Sequence, residues 1–351
     1  MITALRIRHF KNHGDTRLEF GRFTVLAGPN GSGKTNALRA LEAFRKPQIH
    51  VEHRDSAQEE LLFDLEGTRG EHKWQASCGL TSDVFWVTEE TANRITSDLR
   101  YSLGGLFYFK PSLEKLRGPS YTPELPPTIK PDGSEFASAA AYMMTKEPAR
   151  FESALKAIRE VLPWLKRIRA DRETVALIKK KFITVGGKEV AYEEAEPVPG
   201  DSLRYDVHDE IDLKGTDMSD GTLYLVSVMF LVHALPQPAI LLLDDIEQGL
   251  HPLAQRGVLR VLQALLEKRK EMQIIATTHS PFVIDEFDAE DVWLLTPDSN
   301  GVSHAKRLSD HPNQKEALKV LSPGELWTAE GEGWVLDQPH VLKVSHAAHE
   351  R

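Results

Sequence analysis

One cysteine, Cys78, stands among 351 residues. That excludes a disulfide framework and a CxxC metal site, and it suits a reducing compartment such as the cytoplasm. Long apolar runs are also missing. The longest, Leu223 to Leu235, is too short to cross a bilayer and contains Ser227 and His233; it reads as a buried helix, and no membrane association is expected. The opening Met1-Ile2-Thr3-Ala4-Leu5-Arg6 lacks the character of a signal peptide. Positive charge is not in excess. The formal net charge of -9 excludes a whole-protein nucleic-acid surface and leaves only a local basic patch open. There is no internal repeat, and no heptad pattern long enough for a coiled-coil arm. His340, His346 and His349 lack metal-ligand spacing.

What is present is Gly28-Pro29-Asn30-Gly31-Ser32-Gly33-Lys34-Thr35, the phosphate-binding pattern GxxxxGK[ST]. Its glycines let the backbone curl so that successive N–H groups face one anion. Lys34 can bridge terminal phosphates, and the Thr35 hydroxyl can ligate Mg²⁺. Arg22–Ala27 before it reads as a buried strand. Asn36–Phe44 after it has helical spacing, with Ala37, Leu41 and Phe44 on one face. The helix N-terminus then points at the phosphates.

Along the chain, Ile2, Ala4, Ile7 and Phe10 mark a first strand and Thr16–Phe20 a second, and Lys46-Pro47 ends the first helix. From 47 to 204 the character changes. Strands are expected at Leu61–Leu65, His72–Cys78, Val84–Thr88 and Leu106–Phe109. A proline-rich loop follows over Gly118–Gly133, then a mostly helical stretch over Glu135–Lys181, then a hairpin around Gly186-Gly187. From 205 strands and helices alternate again: the apolar helix Leu223–Ala234, the strand Pro238–Leu243, a helix from Gly249-Leu250-His251-Pro252 to Lys270, and the strand Gln273–Thr278. Val292–Leu295 is expected to close the sheet. Such alternation implies a mainly parallel sheet with ligands at the carboxyl ends of its strands.

Several residues at those ends can carry chemistry. Asp244 ends an apolar strand, which would hold its carboxylate near Mg²⁺. Strand alternation points Asp245 away from Asp244, where it could orient or deprotonate an attacking water or only cap the following turn. His279 follows a buried strand and could donate to a γ-phosphate or be a satisfied turn histidine. Ser219-Asp220-Gly221 opens the apolar helix. Ser219 suits an N-cap, and the same N–H groups could offer a second anion site. The run Lys166-Arg167-Ile168-Arg169-Ala170-Asp171-Arg172 with Lys179-Lys180-Lys181 is either a solvated helix face or a DNA-backbone contact.

The order of Gly28–Thr35, Ser219-Asp220-Gly221-Thr222, Leu241-Leu242-Leu243-Asp244-Asp245, Gly249-Leu250-His251-Pro252 and Thr277-Thr278-His279-Ser280 resembles the ABC-type ATPases of the RecF, SMC and OLD kind. The likeness is greatest to small bacterial AAA family ATPases without coiled-coil arms, and Leu5–Asn12 looks like that family's first strand. It covers roughly residues 1–46 and 205–295. The resemblance implies an α/β P-loop fold of ABC type, with a mainly parallel sheet and an α+β insertion between Walker A and the signature motif. The divisions would be 1–46 and 205–300 as ATPase core, 47–204 as insertion and 301–351 as extension. ATP and Mg²⁺ are the implied cofactors. Gly28, Pro29, Asn30, Gly31, Ser32, Gly33, Lys34, Thr35 and Asn36 would hold ATP, while Thr35 and Asp244 would hold the metal. Ser219, Asp220 and Gly221 would complete the site of a second subunit, Gly249–His251 would be the D-loop, and His279 the switch histidine.

Asp245 stands where the family usually has Glu. One methylene less can misplace a base by about 1 Å, at roughly 100-fold in rate, so the expectation is either slow hydrolysis or ATP that serves mainly to hold the dimer together. No Q-loop glutamine is assigned; Gln58 and Gln75 are candidates by position. The expected activity is ATP hydrolysis by a homodimer closed around two ATP molecules, in DNA repair or anti-phage defence. The alternative is a slow ATP-gated scaffold for a separate nuclease or toxin, since 296–351 is too short for the TOPRIM nuclease of OLD proteins. A transporter subunit is disfavoured by the signature and by the long insertion.

Overall fold

The computed structural model describes residues 1–44, 61–69, 72–81, 84–88, 103–185, 188–207 and 211–336. The chain divides into two compact units, Met1–Leu106 with Gln273–Arg351, and Phe107–Met272.

Along the chain the strands are β1 (Ile2–Phe10), β2 (His13–Glu19), β3 (Phe23–Ala27), β4 (Leu61–Arg69), β5 (His72–Thr81), β6 (Val84–Thr88), β7 (Leu106–Phe109), β8 (Leu165–Val185), β9 (Lys188–Val207), β10 (Ile211–Lys214), β11 (Ala239–Leu243), β12 (Met272–Thr278), β13 (Val292–Pro297) and β14 (Ser303–Arg307). The helices used below are α1 (Lys34–Ala43), α2 (Leu113–Arg117), α3 (Phe136–Lys146), α4 (Pro148–Val161), α5 (Asp220–Ala234) and α6 (Pro252–Lys268).

In the first unit one sheet runs β6-β5-β4-β1-β2-β14-β13-β3-β12. Around β3 it is parallel, with β12 on one side and β13 on the other. From β2 outward to β6 it is antiparallel. All of β3 and β12 is buried, as expected of strands covered on both faces, and both read as nearly continuous apolar runs. β13 does not close the sheet: it lies inside, between β3 and β14. The antiparallel strands are pinned by side chains as well as by pairing. Phe10 meets Phe63 edge to face at 5.1 Å, and Arg8 pairs with Asp64.

In the second unit β11 lies beside β7. α5 is apolar all round and buried from Gly221 to His233, as such a helix must be. Phe136 of α3 and Phe151 of α4 pack on its Phe230.

Two further expectations from sequence are corrected, one here and one at its site. The helical pattern holds over α3 and α4, but from Leu165 the chain is a strand. β8 pairs with β9 from Leu165↔Val207 to Val185↔Lys188, in one register from Arg167↔Asp206 onward. The hairpin expected around Gly186-Gly187 is therefore the end of a far longer ribbon; those two glycines lie outside the described residues. The second correction concerns Asp245 and is made with its site.

Candidate nucleotide site

The first unit holds the phosphate loop. Gly28, Gly31 and Gly33 have φ of 143°, 78° and 101°, in the region that L side chains rarely adopt. At Gly28 a Cβ would also lie 2.0 Å from the Leu295 carbonyl oxygen of β13. The loop thus needs glycine for both conformation and space. Lys34, only 4 % exposed, folds back and donates from Nζ to the carbonyls of Gly28 at 2.8 Å and Pro29 at 2.9 Å. α1 begins here with no acidic residue in its first turn, so its positive end faces the loop without a competing carboxylate.

The loop is braced from below by residues that carry no motif. Ser303 of β14 donates to the Ser32 carbonyl at 2.5 Å. His13 of β2 is 1 % exposed, and its Nε2 donates to the Gly33 carbonyl at 3.0 Å. Burial pushes the His13 imidazole down to about 4, against the opposing pull of that hydrogen bond, so it is neutral near pH 7. Asn36 donates to Asn12, and Asn12 donates to the Gly31 carbonyl at 3.0 Å. His279 leaves β12 directly beside the loop, because Thr278 pairs in register with Ala27.

The second unit holds the carboxylates. Asp244 is fully buried. Its Oδ2 accepts from the Tyr108 hydroxyl at 2.8 Å and from Lys110 Nζ at 2.8 Å. The same Lys110 Nζ donates to Asp245 Oδ2 at 2.9 Å. The two carboxylates therefore converge on one cation instead of diverging. The alternation expected from a strand fails because Asp245 has left it, with φ of 58°. Burial disfavours the Lys110 ammonium, but its hydrogen bonds to Asp244 and Asp245 outweigh that, and it titrates above its ordinary value.

Ser219 caps α5, as its residue type implies. Its Oγ accepts from the Thr222 N–H at 3.3 Å and lies 2.8 Å from the Thr222 hydroxyl. Asp220 pairs with Arg117 of α2. Gly221 packs against the turn before α6: a Cβ there would lie 2.4 Å from the Gly249 carbonyl oxygen. The Ser219-Asp220-Gly221 segment and the Gly249-Leu250 turn are thus in backbone contact within this unit.

Lys110, Tyr108, His13 and Ser303 were not singled out from sequence. Lys110 follows a strand that the pattern does show, but a lone lysine after a strand carries no signal. Gln58 lies outside the described residues, as does the side chain of Gln75, and so do His340, His346 and His349. Among the described residues, no group of three or more His, Cys, Asp or Glu is placed to hold a metal. No helix among them is long and apolar enough to cross a membrane.

A glycine-built phosphate loop between β3 and α1, flanked by parallel strands, together with an acid-ended apolar strand and an apolar helix capped by Ser219, defines an ABC-type ATPase of the RecF, SMC and OLD kind. The family model described as "AAA domain, putative AbiEii toxin, Type IV TA system" matches residues 23–285, and the chain belongs to that family. The chain is 24 % identical over 344 residues to the OLD nuclease of Thermus scotoductus, covering 85 % of this chain and 62 % of that one. It thus spans about three fifths of that relative's length. It is 34 % identical over 76 residues to the DNA replication and repair protein RecF of Thermosynechococcus vestitus, covering 19 % of this chain and 20 % of that one. The SMC head domain from Thermotoga maritima has the same fold, with a TM-score of 0.50 at 16 % identity, covering 87 % of this chain and 98 % of that one.

Proposed function

We propose that the chain binds Mg-ATP and hydrolyses it slowly, and that ATP closes two copies head to tail. The reading is carried by the curled loop in which Lys34 is already folded onto the Gly28 and Pro29 carbonyls. Gly28 to Asn36 would hold the triphosphate, and Thr35 with Asp244 would hold the metal. Bound Mg²⁺ would supply charge that offsets what develops on the transferred phosphoryl group. Asp245 would orient or deprotonate the attacking water, and His279 would donate to the γ-phosphate. Ser219, Asp220 and Gly221, at the N-terminus of α5, would seal the site of a second copy. Sedimentation velocity with a non-hydrolysable ATP analogue tests this. The wild type should shift to dimer and Ser219→Arg should not. A wild type that stays monomeric at saturating analogue contradicts the proposal.

The setting inferred is anti-phage defence or DNA repair in the cytoplasm, supported by the family description and by the OLD and RecF relatives. One observation favours the second reading, an ATP-gated scaffold for a separately encoded nuclease or toxin. Lys110 occupies Asp245 as well as Asp244, so the shortened base is also engaged by a cation. Comparing turnover of the wild type with Asp245→Glu separates the two: a much faster Glu variant marks a slow switch. A DNA contact through residues 166–181 gains little support. Residues 165–207 carry nine Lys and Arg against eight Asp and Glu. Within them Arg169 pairs with Asp206, Arg172 with Asp201, Lys179 with Glu196 and Lys181 with Glu194.

A further inference from the structure

The β8–β9 ribbon is the largest feature that the nucleotide site does not use. Beyond Ala170 nearly every described position of β8 is exposed, and β9 is exposed from Ala191 to Pro197. An isolated two-stranded ribbon is marginal in water. This one nevertheless carries Ile178, Phe182, Ile183 and Tyr192, which are 54 %, 65 %, 47 % and 40 % exposed. Large apolar groups gathered on one exposed element mark an interaction surface.

The register separates the two faces. Thr174, Ala176, Ile178, Lys180 and Phe182 of β8 share a face with Pro199, Pro197, Ala195, Glu193 and Ala191 of β9, each opposite its partner in that order. The other face carries Ile183 and Tyr192 together with Lys179, Lys181, Glu194 and Glu196, and these four charged residues are satisfied as ion pairs within the ribbon. The first face differs in two ways. Its large residues, Ile178 and Phe182, all lie on β8, and the alanines opposite them all lie on β9. Its one charged couple, Lys180 and Glu193, stands directly across the ribbon, yet the two make no ion pair among the described residues.

Such a face complements itself. A twofold axis along the ribbon, between two stacked copies, lays β8 of one chain over β9 of the other. Ile178 and Phe182 then sit over the alanines at 195 and 191 of the second copy, and each Lys180 meets a Glu193 across the interface. We propose that this ribbon face is a homotypic docking surface, whose occupant is the same face of a second copy of the chain. The nine residues from Thr174 to Phe182 span about 30 Å of strand. With two strands, each copy buries roughly 300 Å², well below the roughly 800 Å² per partner of a standard interface. The contact is therefore weak and reversible, and it acts by raising the effective concentration of one chain near another. It does not depend on nucleotide, so it stands or falls apart from the ATP reading.

The experiment is sedimentation equilibrium of the full chain without nucleotide. The wild type should show a concentration-dependent monomer–dimer equilibrium. Lys180→Glu and Glu193→Lys should each weaken it about tenfold, since each places like charges together at two symmetric contacts. An equimolar mixture of the two variants should recover association near the wild-type value, because only the mixed dimer restores both opposite-charge contacts. Recovery in the mixture also shows that each variant ribbon is folded. Phe182→Ser, at an exposed position, should weaken association similarly. A wild type that is monomeric at the highest soluble concentration overturns the proposal. So does a mixture no tighter than its components, or a Phe182→Ser chain that associates like the wild type.

Discussion

Lys110 Nζ stands 2.9 Å from Asp245 Oδ2 while holding the buried Asp244 at 2.8 Å. One ammonium therefore balances both carboxylates at the end of β11. Lys110→Met leaves two acids, one of them fully buried, without that cation. Removing one partner of a buried pair costs 3–5 kcal/mol. Lys110 is 40 % exposed, so solvent screens part of this, and a loss of about 1–3 kcal/mol is expected in denaturant unfolding. Millimolar Mg²⁺ without nucleotide should restore more stability to this variant than it adds to the wild type, because the protein's own cation no longer competes for Asp244.

His13 gives the chain a pH signature. Its folded value is near 4 against an ordinary 6.5, so the unfolded chain binds this proton more readily. Stability from His13 is fully present above pH 6.5 and is lost as pH falls towards 4. The loss reaches about 3 kcal/mol across that window. His13→Gln keeps a donor for the Gly33 carbonyl and cannot titrate. The stability difference between wild type and this variant, followed by denaturant unfolding, should therefore move in the variant's favour from pH 6.5 down to 4. A pH-independent difference contradicts the assignment.

Gly221→Ala tests the contact between the start of α5 and the Gly249-Leu250 turn. The added methyl would lie 2.4 Å from the Gly249 carbonyl oxygen, which is backbone and can yield only by shifting the turn. The expected cost is about 1–3 kcal/mol in stability, with a larger loss in ATP-dependent association than in ATP affinity. Equal losses in both would mean that the contact serves folding alone.

Tyr205 is completely buried, and its hydroxyl has no hydrogen-bond partner among the described residues. Burial alone raises its titration. Tyr205→Phe removes an unsatisfied polar atom and should stabilise the chain by about 1 kcal/mol. A destabilised variant would reveal a water or partner at that hydroxyl.

The phosphate loop, β3, α1, α5, β11 and β12 were legible in sequence because each buries an apolar face or carries a spacing with a mechanism. The β8–β9 ribbon was legible only at its tip, as the hairpin strands around Gly186-Gly187. A strand with no buried face has no alternation of apolar and polar residues to display, and Lys, Arg, Glu, Ala and Leu between 165 and 185 favour helix locally. The convergence of Asp244 and Asp245 was hidden because alternation describes a strand, and the backbone leaves the strand at Asp245. His13 and Ser303 brace the loop from β2 and β14, contacts of long sequence separation that no local pattern records.

Everything in the ATP reading passes through Lys34. The most direct measurement is ATP turnover by the wild type beside Lys34→Ala, at saturating Mg-ATP with matched folding. Turnover in the wild type that falls to background in the variant is the expected result; equal turnover in both chains would contradict it.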